Sequence, residues 1–193
     1  MKTKIIKKIL RIGFIGIIIM IGLIVSGCQQ NKKQMNKDYP GLTDKDHVYE
    51  PIKVDDVKKM LDQKENFYLV MGFSNCPWCQ ALIPVLNEVA KDHQAKTIYY
   101  LDILDIRDNE AADGYGTFHT LTNGVFGPIL DKEKNRVNAP TFIKVEQGNV
   151  VMHHLNTVDS HIKNENGYLP PLTSEQLNEL KEILDTFFKI KMV

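Results

Sequence analysis

Three cysteines occur in the 193 residues, Cys28, Cys76 and Cys79, and two of them stand close together in Cys76-Pro77-Trp78-Cys79. An apolar run, Phe67 to Phe73, precedes this pair, and Leu82, Ile83, Val85, Leu86 and Val89 follow it at helical spacing. The pattern predicts strand, turn and helix in that order. With Cys76 at the turn, Pro77 takes the first helical position, where its missing N–H is harmless. The unpaired N–H groups and the positive end of the helix then face the Cys76 sulfur. Thiols in such surroundings ionise at roughly 3.5 to 7.5, well below a free cysteine. Cys79, one turn deeper, is expected to be the resolving thiol. Cys76 would attack a partner disulfide, and Cys79 would release the product from the mixed disulfide. Trp78, the only tryptophan, is expected to cover the pair.

Two other readings of the pair stay open at this point. C-x-x-C is half a zinc site, but no second pair of ligands recurs at zinc-like spacing. His153 and His154 are adjacent, and on a strand they would point to opposite faces. A purely structural link between Cys76 and Cys79 would close too short a loop to add much stability. No metal and no cofactor is expected.

Cys28 has a different context. Lys2, Lys4, Lys7, Lys8 and Arg11 lead into an apolar run from Ile12 to Val25, which ends in Ser26-Gly27-Cys28. A basic stretch, an apolar stretch and small residues before a cut form an export signal. The small-small-Cys ending looks like the lipobox of bacterial lipoproteins, which implies a signal peptide over 1–27 and a lipidated Cys28. Two or more acyl chains there would hold the protein on a bilayer. The expected location is the cell membrane, on its extracytoplasmic face. The alternative is an uncleaved anchor, with the body on the same side. Assigning Cys28 to lipid leaves one cysteine pair, which argues against a disulfide-stapled scaffold.

Those five basic residues belong to a total of 24, so the rest of the chain carries 19 against 24 acidic residues. A mildly acidic body excludes the basic footprint of a nucleic-acid-binding protein. From Gln29 to about Glu50 the chain is polar and contains Pro40-Gly41, which predicts a flexible tether over 28–46 and a folded domain over 47–193. An edge strand is expected near His47 to Ile52, then a helix carrying Val54, Val57 and Leu61. Thr97 to Ile103 reads as a strand. Glu146-Gln147-Gly148 between Thr141–Val145 and Asn149–His153 is a hairpin signal. Thr173 or Ser174 should cap a final helix bearing Leu177, Leu180, Ile183, Leu184 and Phe187. The stretch from Leu104 to Val137 is too long for one connection, so a helix plus an inserted surface element is expected there. The order is a βαβ half and a ββα half, an α/β fold with a central mixed sheet between helix layers.

These residues together resemble the thioredoxin superfamily. Phe73-Ser74-Asn75-Cys76-Pro77-Trp78-Cys79 follows an apolar strand, Pro84 stands five residues after Cys79, and Asn138-Ala139-Pro140-Thr141 is similar to the family's cis-proline motif. The resemblance spans roughly Val48 to Ile190. It implies a thioredoxin fold with an insertion before the cis-Pro strand, and it places Pro140 beside the Cys76 sulfur, with Ala139 offering backbone to a substrate strand. Among relatives, exported thioredoxin-like lipoproteins and bacteriocin-transport accessory proteins look closest. The implied activity is thiol–disulfide exchange with exported proteins or peptides, coupled to a membrane redox partner. The alternative is a non-enzymatic secretion accessory that binds an exported peptide in the groove. Val70 stands where thioredoxins carry a buried acid, which leaves the direction of electron flow open.

Overall fold

Phe67-Tyr68-Leu69-Val70-Met71-Gly72 is apolar on both faces, as a strand covered on both sides must be. In the computed structural model, which describes residues 30–190, this strand is the centre of the molecule. The signal peptide expected over 1–27 and the expected lipid site, Cys28, lie outside the described residues. In chain order the elements are a helix α1 over residues 30–38, β1 (Tyr49–Pro51), α2 (Val54–Asp62), β2 (Phe67–Gly72), α3 (Pro77–Asp92), β3 (Ile98–Asp102), α4 (Leu104–Asp108) and α5 (Tyr115–Thr122). A short 3-10 turn (Gly127–Ile129) leads to β4 (Leu130–Asp131), β5 (Arg136–Val137), β6 (Thr141–Glu146), β7 (Asn149–Leu155) and α6 (Ser174–Lys189). Among the described residues, no helix is long and apolar enough to cross a membrane.

The five-stranded sheet runs β1-β3-β2-β6-β7. Strands β1, β3 and β2 are mutually parallel, whereas β6 is antiparallel to β2 and β7 to β6. Alternation along each strand divides the core in two. Val70, Tyr100 and Phe142 face α1, α3 and α6, while Leu69, Met71, Leu101, Ile143 and Val145 face α2 and α5. A mixed sheet between two helix layers, with the C-x-x-C helix after β2, is a thioredoxin-like fold. The region from Leu104 to Val137 holds α4, α5, the 3-10 turn and the two-stranded β4–β5 hairpin, so the inserted element precedes β6.

Local signals account for several joints. Gln147 and Gly148 both take positive φ, as a two-residue hairpin turn requires. A Cβ on Gly148 would fall 2.5 Å from the Leu61 carbonyl, so no other residue fits there. Thr173 accepts from the Gln176 amide at 3.2 Å and donates its own amide to the Gln176 side chain at 3.0 Å. This reciprocal pair caps α6. At its other end the buried Lys144 ammonium donates to the Ile190 carbonyl at 2.6 Å.

One expectation is overturned. Residues 30–46 are not a tether: α1 and the turn after it are part of the fold. Met35, Tyr39 and Leu42 are 3%, 0% and 2% exposed, in the same apolar cluster as α3 and α6. Tyr39, the residue just past α1, donates its amide to the Met35 carbonyl at 2.9 Å and so continues the face that Met35 begins. Asn36 turns back to the Leu42 and Asp44 carbonyls. Asp44 meets Lys91 at 2.5 Å and the Asn87 amide at 3.2 Å, which fixes the segment to α3. Three apolar side chains in a polar stretch suffice because each is almost wholly buried. The folded unit therefore begins before residue 47.

Candidate functional site

Cys76 is the residue that ends the β2–α3 turn. Its backbone is extended (φ −86°, ψ 118°), Pro77 follows at the start of α3, and no acid occupies the first turn. The Cys76 sulfur accepts the Cys79 amide N–H at 3.4 Å. The two cysteines are free thiols. Cys76 is 5% exposed and Cys79 not at all. Cys79 presses on β2: a Cβ on Gly72 would lie 3.0 Å from its sulfur and 3.9 Å from the Tyr100 ring. Glycine at 72 makes room for the deeper sulfur.

The two thiols differ in acidity. A hydrogen bond from the Cys79 thiol brings Cys76 down to about 7 from its ordinary 9.0. Burial opposes this, and the Cys79 and Trp78 amides and the Arg107 charge assist it. Cys79 is pushed upward, first by burial and then by that same contact with Cys76. The outer sulfur therefore ionises first, while the inner one keeps its proton.

Across from the pair, the Ala139–Pro140 peptide is cis. The Cys76 thiol reaches the Ala139 carbonyl at 3.5 Å. A thiolate cannot donate, so ionisation of Cys76 frees that carbonyl for another N–H. Cys76, Cys79, Pro77, Trp78, Ala139 and Pro140 thus gather at one end of the sheet. Among the described residues no cluster of His, Cys, Asp or Glu suits a metal ion. His153 is exposed on the edge strand β7, and His154 meets the Thr157 carbonyl at 2.6 Å.

Several contributors came to light only in three dimensions. The Trp78 indole N–H donates to the His161 carbonyl at 3.2 Å, and Lys163 sits 5.1 Å above its ring. His161 is buried, with Nε2 2.7 Å from the Pro170 carbonyl and Nδ1 2.8 Å from the Thr157 hydroxyl. A carbonyl only accepts, so Nε2 carries the proton. This ring ties the β7–α6 segment together and holds Trp78 in place. Beneath Cys79, where the sequence offers no buried acid, the Tyr39 and Tyr100 hydroxyls meet at 2.8 Å. Burial pushes both tyrosines upward, so this pair stays neutral. An open cleft of about 350 Å³ beside Cys76 is walled by Trp78, Ala139, Arg107, Lys134 and Arg136. The three cations come from α4 and the β4–β5 hairpin, and no motif marked them in the sequence.

No known family model matches the chain, and no curated protein matches it by sequence. Among solved structures, the thioredoxin of Schistosoma mansoni is similar with a TM-score of 0.37 and 14% identity, over 72% of this chain and 94% of that one.

Proposed function

We propose that the protein is a thiol–disulfide oxidoreductase in which Cys76 is the attacking sulfur and Cys79 the resolving one. The observation that carries this reading is the Cys76 sulfur at the N-terminus of α3, touching the Cys79 amide and the Ala139 carbonyl together. A thiolate there is stabilised by amides and the helix dipole, and the deeper thiol is one turn away. Pro140 and Ala139 hold the substrate chain against the sulfur. With Cys28 lipidated and residues 1–27 removed, the enzyme works at the outer face of a membrane on exported proteins. A membrane redox partner resets it.

Alkylation of the dithiol form by iodoacetamide, followed against pH, tests the central claim. The rate should rise with a midpoint near 7, because Cys76 is thiolate above that pH and is protonated as pH falls through it. A midpoint at or above 9.0, the ordinary thiol value, would remove the activated sulfur and with it the proposal. The same shift couples to folding. Between about 7 and 9.0 the unfolded chain holds a proton that folded Cys76 has released, so stability of the dithiol form should rise across that window. Above it the raised Cys79 acts in the opposite sense, and stability should decline.

Gly72→Ala addresses the inner thiol. The added methyl would lie 3.0 Å from the Cys79 sulfur, so that sulfur must move. Release of the mixed disulfide should slow several-fold while the first attack by Cys76 proceeds. An unchanged release rate would show that the strand does not position Cys79.

A further inference from the structure

The cleft beside Cys76 has a charge unlike that of the rest of the body. Beyond the leader the chain is acidic on balance, yet Arg107, Lys134 and Arg136 line this cleft and no carboxylate does. Lys163, over the Trp78 ring, adds a fourth cation from a separate segment. We infer that the cleft selects substrates in which acidic residues flank the disulfide. This rests on the exchange reading above and names its substrate class.

Each cation has a distinct setting. Arg107 is nearly enclosed: its guanidinium lies 5.4 Å over the Phe73 ring and pairs with Asp108 at 2.6 Å. Arg136 stands 4.0 Å from the same Asp108, and Lys134 is 3.2 Å from Asp131. Two carboxylates thus contact three cations, and a positive excess remains on the wall. Arg136 is also incompletely partnered. Its Nε is buried with no acceptor among the described residues. A buried donor without an acceptor is costly. The rest of the Arg136 side chain is open at the cleft, where an entering carboxylate can make a charge-assisted bond with it. Three of the cations, from α4 and the β4–β5 hairpin, share the wall of the cleft beside Cys76, and the fourth, from the β7–α6 segment, lies over the Trp78 ring. A single small anion would not span both the cleft wall and Lys163. A polypeptide lying along Ala139 with acids on either side of its disulfide would engage several, and we commit to that occupant. The positive wall also raises the encounter rate of a negative chain at low salt.

The step balances without an added reagent when the dithiol form meets a peptide disulfide. The Cys76 thiolate attacks one peptide sulfur and the peptide S–S bond breaks. The leaving thiolate takes up a proton. Cys79 gives up its proton and attacks the Cys76 sulfur, and the second peptide thiol departs. Two electrons pass to the peptide, and the protein is left with a Cys76–Cys79 disulfide.

Single-turnover rates for the full-length protein in detergent should be measured with three peptides that differ only in residues flanking one internal disulfide: aspartates, glutamines or lysines. The acidic peptide should react about tenfold faster than the neutral one at low salt, with the advantage shrinking as salt screens the cleft. In a Lys134→Gln/Arg136→Gln protein the acidic-to-neutral ratio should fall toward one. These side chains lie at the surface, and folding can be checked by thermal melting. Equal rates for the acidic and neutral peptides, or a faster basic peptide, overturn the inference while leaving exchange itself intact. If no peptide exchanges at all, the redox reading falls, and the substrate preference falls with it.

Discussion

Cys76→Ser is expected to reduce disulfide exchange to the uncatalysed background, a loss on the order of a thousandfold or more. Serine keeps the helix cap but not the thiolate, because an alcohol does not ionise in this range. Cys79→Ser should behave differently. Cys76 can still attack, since its amide contacts and its opening onto the cleft remain. The mixed disulfide then has no internal thiol to resolve it, and it should accumulate as a stoichiometric adduct visible by intact mass. Cys79→Ala adds a quantitative check. The Cys79 thiol is the largest contributor to the lowered pKa of Cys76, so its removal should move the alkylation midpoint upward from about 7. Full exchange activity in Cys76→Ser would end the redox account, because Cys79, the other cysteine among the described residues, is wholly buried and holds its proton.

Removing residues 1–46 is expected to prevent the domain from folding stably, whereas removing residues 1–29 should not. The shorter deletion preserves α1. The longer one strips Met35, Tyr39 and Leu42 from the cluster they share with α3 and α6. Burying such side chains contributes about 1.5–3 kcal/mol each, so the loss for the three is about 4.5–9 kcal/mol before the ordering cost of α1 is deducted. Whole domains are stable by only about 5–15 kcal/mol. The deletion also exposes the Tyr100 hydroxyl, which loses its Tyr39 partner, and removes the Asp44 contacts with Asn87 and Lys91. Thermal melts of the 30–193 and 47–193 fragments provide the comparison. The first should unfold cooperatively, and the second should melt far lower or aggregate. Matching midpoints would mean that α1 is only laid against the surface.

The two predictions probe different ranges of the chain, and legibility in the sequence divided in the same way. The turn at Cys76 was readable because its determinants are neighbours: an apolar strand, a proline at the first helical position and a helical stripe. The hairpin at Gln147-Gly148 and the cap at Thr173 were readable for the same reason, since each is decided within four residues. Even the insertion before β6 could be anticipated, from length alone. Residues 30–46 read as a tether because average polarity hides two spaced apolar residues, Met35 and Tyr39. Their burial depends on what α3 and α6 present to them.

By itself, then, the order of residues determined the strand–turn–helix that carries Cys76, the mixed sheet and the placing of apolar side chains on alternate faces. Those follow from periodicity and backbone preference, which act over a few residues. Only the folded chain decided that Tyr39 would meet Tyr100, that His161 would hold Trp78, and that Arg107 and Arg136 would wall one cleft. Such partners are separated by about thirty to eighty positions. No local pattern encodes a meeting at that range; it arises when the sheet closes and the loops at its end converge.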